Sequence, residues 1–250
     1  MQKILPINYI EKINKDYFII YIKNKELALK SKPGQFFELL PMGNYKGLLR
    51  KPISIYNIEN DTIGFMIKKI GYGTKYLSQL KVGDFIDFLG PLGNSFNIPM
   101  NQKVMLISGG IGYAPLFYLS KELKNKHNSV IWIHGGRSEK DIFDSNIMNY
   151  TNDGSYGKKG FVTSNLEKIL EVEKIEKVFT CGPQIMMKEI SKITQKKEIN
   201  TEVSLESYMA CGIGVCKGCS VLIKKNNENV YKTVCKDGPI FNSKEVVWDE

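Results

Sequence analysis

The chain has 250 residues, a formal charge of +9 and 42% hydrophobic residues, which gives room for two domains and a small appendage. No apolar run approaches the length of a membrane span, the N-terminus lacks a secretory apolar segment, and the cysteines number five. A membrane protein and a secreted disulfide scaffold are therefore set aside for a reduced, cytoplasmic protein. The positive charge does not indicate nucleic acid, because Arg50 and Arg137 are the only arginines and the lysines are spread along the chain.

Residues 1 to about 98 read as β-rich. Strand-like runs recur at 17–22, 35–40, 53–58, 62–68 and 84–89, with turn signals between them. That spacing predicts a barrel or sandwich, with one short helix at 74–80. Within it, Arg50-Lys51-Pro52-Ile53-Ser54 opens a strand. Two cations and a hydroxyl there suit a diphosphate and a ring edge, although basic residues before a strand are common. Gly71-Tyr72-Gly73-Thr74 then opens the helix and offers backbone donors and a hydroxyl to a phosphate.

The pattern changes after Gln102. Apolar strands at 104–107 and 130–134, a strand at 177–181, and helices at 114–124 and 183–196 predict a parallel α/β sheet over 99–200. Gly109-Gly110-Ile111-Gly112 lies between the first strand and its helix, where glycines let backbone N–H groups approach a phosphate. It is not a full dinucleotide fingerprint, and a tight packing turn would use the same glycines. Cys181-Gly182-Pro183 ends a later strand on the same edge of the sheet, where ligands of such sheets bind.

Residues 201–250 read as loops and short strands around Cys211, Cys216, Cys219 and Cys235. The spacing C-x4-C-x2-C…C is that of a plant-type [2Fe–2S] centre. Structural zinc is the main rival, but only one half of its usual paired knuckles is present. A Rieske centre needs two histidines, and His127 and His134 lie far upstream.

Taken together, a β-barrel with a flavin-type motif, an α/β domain with Gly-Gly-Ile-Gly-Tyr-Ala-Pro and Cys-Gly-Pro, and the run Ser204-Leu205-Glu206 through Cys235-Lys236-Asp237-Gly238-Pro239 resemble one family. It is the electron-transfer subunits of B-type dihydroorotate dehydrogenase, within the ferredoxin–NADP reductase-like proteins. The resemblance spans essentially the whole chain. It implies an FAD-binding β-barrel (1–98), an NAD-binding α/β domain (99–200) and a [2Fe–2S] segment (201–250). It implies Ser54 near the flavin ring, Gly73 and Thr74 at FAD phosphate, and Ile67, Lys68 and Lys69 on the adenine or ribose side. The family motif R-x-x-S appears here as Lys51-Pro52-Ile53-Ser54, and lysine lacks the bidentate fork of arginine. Arg50, one residue earlier, is expected on the other side of the strand. No catalytic acid or base is expected in this chain.

The resemblance further implies electron exchange among NAD(H), FAD and the cluster, and with the FMN of a separate catalytic subunit that oxidises dihydroorotate to orotate. A heterotetramer with two copies of each subunit follows from the same source, as does NADH over NADPH. Arg137-Ser138 after the second α/β strand would suit a 2′-phosphate instead. The rivals are an oxygenase reductase, a subunit of another multi-subunit oxidoreductase, and a zinc-stapled nucleotide-binding module.

Overall fold

A computed structural model describes residues 1–226 and 228–248. The N-terminal half contains strands β1 (Gln2–Pro6), β2 (Tyr9–Lys12), β3 (Tyr17–Lys23), β4 (Phe36–Pro41), β5 (Lys51–Ser54), β6 (Asn57–Glu59), β7 (Thr62–Lys68) and β8 (Phe85–Leu92), with short helices α1 (Lys25–Lys30) and α2 (Tyr72–Leu77). They form two four-stranded antiparallel sheets, β1-β8-β4-β5 and β2-β3-β7-β6. The expected single strand at 53–58 is two strands. Ile55 N–H bonds Gln35 O and Tyr56 N–H bonds Gly64 O, so the chain changes sheets between them. The helix expected at 74–80 begins earlier, at Tyr72.

Period-two alternation explains why 17–22 looks uniformly apolar. Phe18, Ile20 and Ile22 point into the barrel core with Phe37, Phe65 and Phe88. Tyr17 and Ile19 point outward and are buried against the second half of the chain, with Leu116 and Phe179. Both faces of β3 are therefore covered.

The second half is a seven-stranded sheet in the order β12-β11-β10-β9-β13-β14-β17. Its strands are β9 (Lys103–Gly109), β10 (Ser129–Gly136), β11 (Met148–Thr151), β12 (Lys158–Lys159), β13 (Lys177–Cys181), β14 (Asn200–Ser204) and β17 (Ile240–Asn242). Helices α3 (Tyr113–Asn125), α4 (Leu166–Val172) and α5 (Gln184–Lys196) connect them. All neighbouring pairs are parallel except β14 with β17. This is the expected flavin-type barrel plus parallel α/β arrangement.

The cysteine segment is joined to both halves. Strands β15 (Ser220–Lys225) and β16 (Glu228–Thr233) form a hairpin, and β17 returns to the sheet edge. Asn94, at the end of the barrel, donates through Nδ2 to Asp237 O (3.0 Å) and Ile240 O (2.8 Å) and accepts from Ile240 N–H (2.9 Å). Leu205, Ile223, Val234 and Phe241 pack beneath the cysteine loop with Phe36 of the barrel.

Candidate redox site: two clefts and a thiol loop in series

The first cleft has a volume of about 240 Å³ and lies between the outer face of β5 and the run 204–209. Lys51, Pro52, Ile53, Ser54, Ile67, Lys68 and Thr74 all line it. The antiparallel register pairs Phe36 with Ser54 and Glu38 with Pro52, so these four side chains share one face of the sheet. Lys51 lies across the first turn of α2. A Cβ on Gly73 would sit 2.2 Å from Lys51 Cε and 2.9 Å from Tyr45 Oη. The Thr74 hydroxyl accepts from Ile70 N–H (2.9 Å) and Gly71 N–H (3.2 Å), which engages it as a cap on its own helix. Arg50 is turned away, as expected. Its guanidinium donates to Asp87 O (2.9 Å) and Asp87 Oδ2 (2.5 Å). Arg50, Lys69 and Gly73 do not line the cleft.

The second cleft, about 690 Å³, lies along the C-terminal ends of β9, β10 and β13. Gly109, Gly110, Gly112, Gly182 and Pro183 line it, with Arg137, Asn152 and Thr163 on its far side. Cys181 does not; it is 1% exposed, and burial pushes its thiol pKa up, with Glu206 adding to the rise. Gly112 is where the two cleft-forming turns touch. A Cβ there would lie 2.3 Å from Cys181 O and 2.7 Å from Gly182 N.

The clefts are continuous. Lys68, Ile70, Ile111 and Glu206 line both. Glu206 opens into the clefts, yet the protein mass around it raises its pKa.

The four expected thiols lie beyond the 204–209 wall, without a preformed group of three or more ligands among the described residues. They form two neighbouring pairs, Cys211 with Cys216 and Cys219 with Cys235. Backbone N–H groups converge on all four sulfurs: Cys216 N to Cys211 Sγ (3.4 Å), Gly218 N to Cys216 Sγ (3.5 Å), Cys235 N to Cys219 Sγ (3.5 Å) and Gly214 N to Cys235 Sγ (3.1 Å). Gly214 has φ of +80°, a conformation that glycine adopts freely and that aims its N–H inward. Amide donors bring the Cys211 thiol down to about 6. Burial and the adjacent Cys219 push Cys235 up to about 12. Two thiol pairs, with a backbone N–H donor on each sulfur, have the donor chemistry of an iron–sulfur centre, which needs N–H groups close to its thiolates.

Glu38 had no signal in the sequence. It is fully buried beneath the loop, and a Cβ on Gly212 would meet its Cγ at 2.7 Å. Neither carboxyl oxygen has a hydrogen-bond partner among the described residues. Burial pushes its pKa up to about 7, against the pull of Arg50 and Lys51.

His134 is also absent from the site motifs. Its Nε2–H donates to Asp141 O (2.7 Å), so Nδ1 accepts from the Ser108 hydroxyl (2.8 Å), which in turn accepts from Trp132 Nε1–H (2.8 Å). Burial lowers its pKa to about 4 from the usual 6.5. The unfolded chain therefore binds an extra proton between these values. The urea midpoint is expected to fall as pH drops from 6.5 towards 4, and His134→Gln should remove that part of the slope. An identical slope in parent and variant would contradict this.

A barrel whose outer face and an α/β sheet edge bound two joined clefts defines a ferredoxin reductase-like fold. Solved structures agree. A ferredoxin NADP+ reductase from Neisseria gonorrhoeae matches at TM-score 0.66 and 16% identity, over 78% of this chain and 91% of that one. The structure of an NADH-dependent reduced ferredoxin–NADP oxidoreductase matches at TM-score 0.86 and 30% identity, over 98% and 90%. Residues 206–247 match the iron–sulfur cluster binding domain of dihydroorotate dehydrogenase B. The dihydroorotate dehydrogenase B (NAD(+)) electron transfer subunit of Clostridium acetobutylicum is 38% identical over 227 residues, 88% of this chain and 87% of that protein. That of Caldanaerobacter subterraneus subsp. tengcongensis is 36% identical over 224 residues, 88% of each. The chain belongs to the family of dihydroorotate dehydrogenase B electron-transfer subunits. It is thus an NAD-linked flavin and iron–sulfur oxidoreductase subunit.

Proposed function

We propose that the first cleft holds FAD, the second holds the nicotinamide dinucleotide, and Cys211, Cys216, Cys219 and Cys235 hold a [2Fe–2S] cluster. The observation that carries this reading is the serial layout. The clefts share Lys68, Ile70, Ile111 and Glu206, and the first cleft shares its 204–209 wall with the run into Cys211. When bound, these groups supply conversion between two-electron and one-electron transfer. The chain's own residues position them. Lys51 and the Gly73–Thr74 turn receive the diphosphate, with Lys51 as a point charge rather than a fork. Ser54 faces the flavin ring, while Ile67 and Lys68 serve the adenosine side and Lys69 stands outside the cleft lining. Gly109, Gly110 and Gly112 offer one wall of close-approach backbone to a second diphosphate, and Gly182 and Pro183 form the opposite wall, with Cys181 buried behind them. Leu205, Ser207 and Met209 line the cleft on the side that leads to Cys211.

The partner is the FMN-containing catalytic subunit of dihydroorotate dehydrogenase, two copies of each chain forming a heterotetramer, with NADH as the dinucleotide and the cytoplasm as the location. No helix among the described residues is long and apolar enough to cross a membrane. Tyr208 (98% exposed), Ile213 (49%) and Val215 (75%) belong to the same segment as the exposed Cys216. Exposed apolar side chains on the segment that carries a cluster ligand suit a docking face. Val215→Asp is expected to slow dihydroorotate-driven reduction through the catalytic subunit by roughly 30-fold, the loss of about 2 kcal/mol at a docking hot spot. NADH–dye reduction should stay at the parent rate. Unchanged transfer to the partner would count against this face.

A second reading has a specific support, the 30% identity to the NADH-dependent reduced ferredoxin–NADP oxidoreductase. There the chain would serve a multi-subunit enzyme that exchanges with ferredoxin. Reduction by dihydroorotate in the presence of the catalytic subunit favours the first reading. Reduction by ferredoxin alone favours the second.

A further inference from the structure

Asp141 stands where the two halves of the molecule meet. It belongs to the α/β half, in the turn Glu139–Asp141 after β10, and is 7% exposed. Its Oδ1 accepts from two barrel residues, Tyr17 Oη–H (2.5 Å) and Lys68 Nζ (3.1 Å). Its Oδ2 accepts from Arg137 N–H (2.9 Å), at the wall of the second cleft. Tyr17 and Lys68 are cross-strand partners in β3 and β7, and the Lys68 ammonium also lies 4.9 Å from the centre of the Tyr17 ring. A second bond crosses the same seam, from Asn14 Nδ2 to Lys140 O (3.0 Å).

The Asp141 main chain is held from behind as well. His134, Ser108 and Trp132 form the hydrogen-bond chain that fixes the Asp141 carbonyl to the centre of the sheet. A Cβ on Gly136 would come within 2.7 Å of Asp141 Cβ, so the turn has no slack. Lys68 lines both clefts, and its ammonium is tethered to the opposite half of the molecule. A surface ion pair between two mobile chains would contribute little. Here the carboxylate is buried, although the Lys68 side chain is 32% exposed; one oxygen is doubly donated, and the turn is backed by the sheet.

We propose that Asp141 is a positioning residue: it latches the α/β half to the barrel through Tyr17 and Lys68 and so fixes the distance between the groups bound in the two clefts. The proposal rests on the assignment of those clefts to FAD and the nicotinamide. Small misplacements of reacting groups lower a rate steeply, about 100-fold for roughly 1 Å, while each cleft keeps its own binding residues.

Asp141→Asn keeps the shape and removes the charge that holds Lys68. In the FAD- and cluster-loaded protein, the rate of flavin bleaching at saturating NADH is expected to fall about 10- to 100-fold. FAD, iron and sulfide contents should match the parent. NAD⁺ should bind with a Kd within about threefold of the parent, yet the amplitude of the flavin difference spectrum that it induces should shrink, because the ring is less well placed. Tyr17→Phe removes one donor and should move the same two readouts in the same direction by a smaller factor; it decides the matter if Asp141→Asn does not fold. Variants that bleach at the parent rate with the parent difference spectrum overturn the latch. Variants that lose FAD or cluster also overturn it, by making the contact merely structural. If NAD⁺ has no saturable effect on the parent's flavin, the cleft assignment fails and the latch fails with it.

Discussion

Cys216→Ser is expected to abolish the cluster while leaving the flavin reducible by NADH. Cys216 is the most exposed of the four thiols, and its own N–H supports Cys211 Sγ while Gly218 N–H supports Cys216 Sγ. A serine hydroxyl does not supply the soft thiolate donor such clusters require. The loop's foundations lie elsewhere, in Leu205, Ile223, Val234 and Phe241, so both halves of the molecule should fold unchanged. No residue from Cys211 to Cys219 lines either cleft. Purified variant should contain FAD but less than about a tenth of the parent's iron and sulfide, since one of four ligands is gone. NADH–dye activity should persist, and transfer to the catalytic subunit should disappear. Loss of NADH–dye activity would contradict separate sites for flavin and cluster.

Gly112→Glu is expected to abolish dinucleotide binding and spare the cluster. The glycine is needed for contact, not for an unusual backbone angle. A Cβ would lie 2.3 Å from a carbonyl oxygen of β13 and 2.7 Å from the Gly182 nitrogen. Both are backbone atoms, held by the β9–β13 register, so neither can swing aside. Any side chain must therefore push apart the two walls of the second cleft, and overpacking of this kind costs about 1–3 kcal/mol. Glutamate adds a negative charge where a diphosphate is to bind. NAD⁺ affinity measured by calorimetry should fall by at least about 100-fold, the equivalent of roughly 3 kcal/mol. Gly112→Ala should show a smaller loss, from the Cβ alone. Iron and sulfide should be unchanged in both. Retained affinity in the glutamate variant would overturn the assignment of this cleft.

The sequence was informative where function depends on neighbours along the chain. The cysteine spacing placed three thiols in one loop, with Cys235 beyond the β15–β16 hairpin, and the continuous apolar strands at β9, β10 and β13 announced a parallel sheet. The glycine turn after β9 and Cys181-Gly182-Pro183 were correctly brought to one edge, although Cys181 itself is buried behind it. What was not legible depends on distant segments meeting. The short strand Asn200–Ser204 is polar at every position but Val203, and its place in the sheet is set by β13 on one side and β17 on the other. Glu38 follows an apolar pair and looks like an ordinary strand residue, yet the fold closes the cysteine loop over it. Asp141 sits 124 residues from Tyr17, and nothing local marks it as a junction. Arg50 shows the opposite case: a strand's alternation put it on the far side from the cleft, and Asp87 supplies the reason it stays there.

The central claim is that one chain carries a flavin, a nicotinamide site and an iron–sulfur cluster in electronic contact. The most direct test is the visible absorption spectrum of anaerobically purified protein, recorded before and after NADH is added. Flavin bands on a broad iron–sulfur background, both bleaching with NADH, are the predicted result. A flavin spectrum without cluster absorbance, from protein that contains zinc, would contradict it.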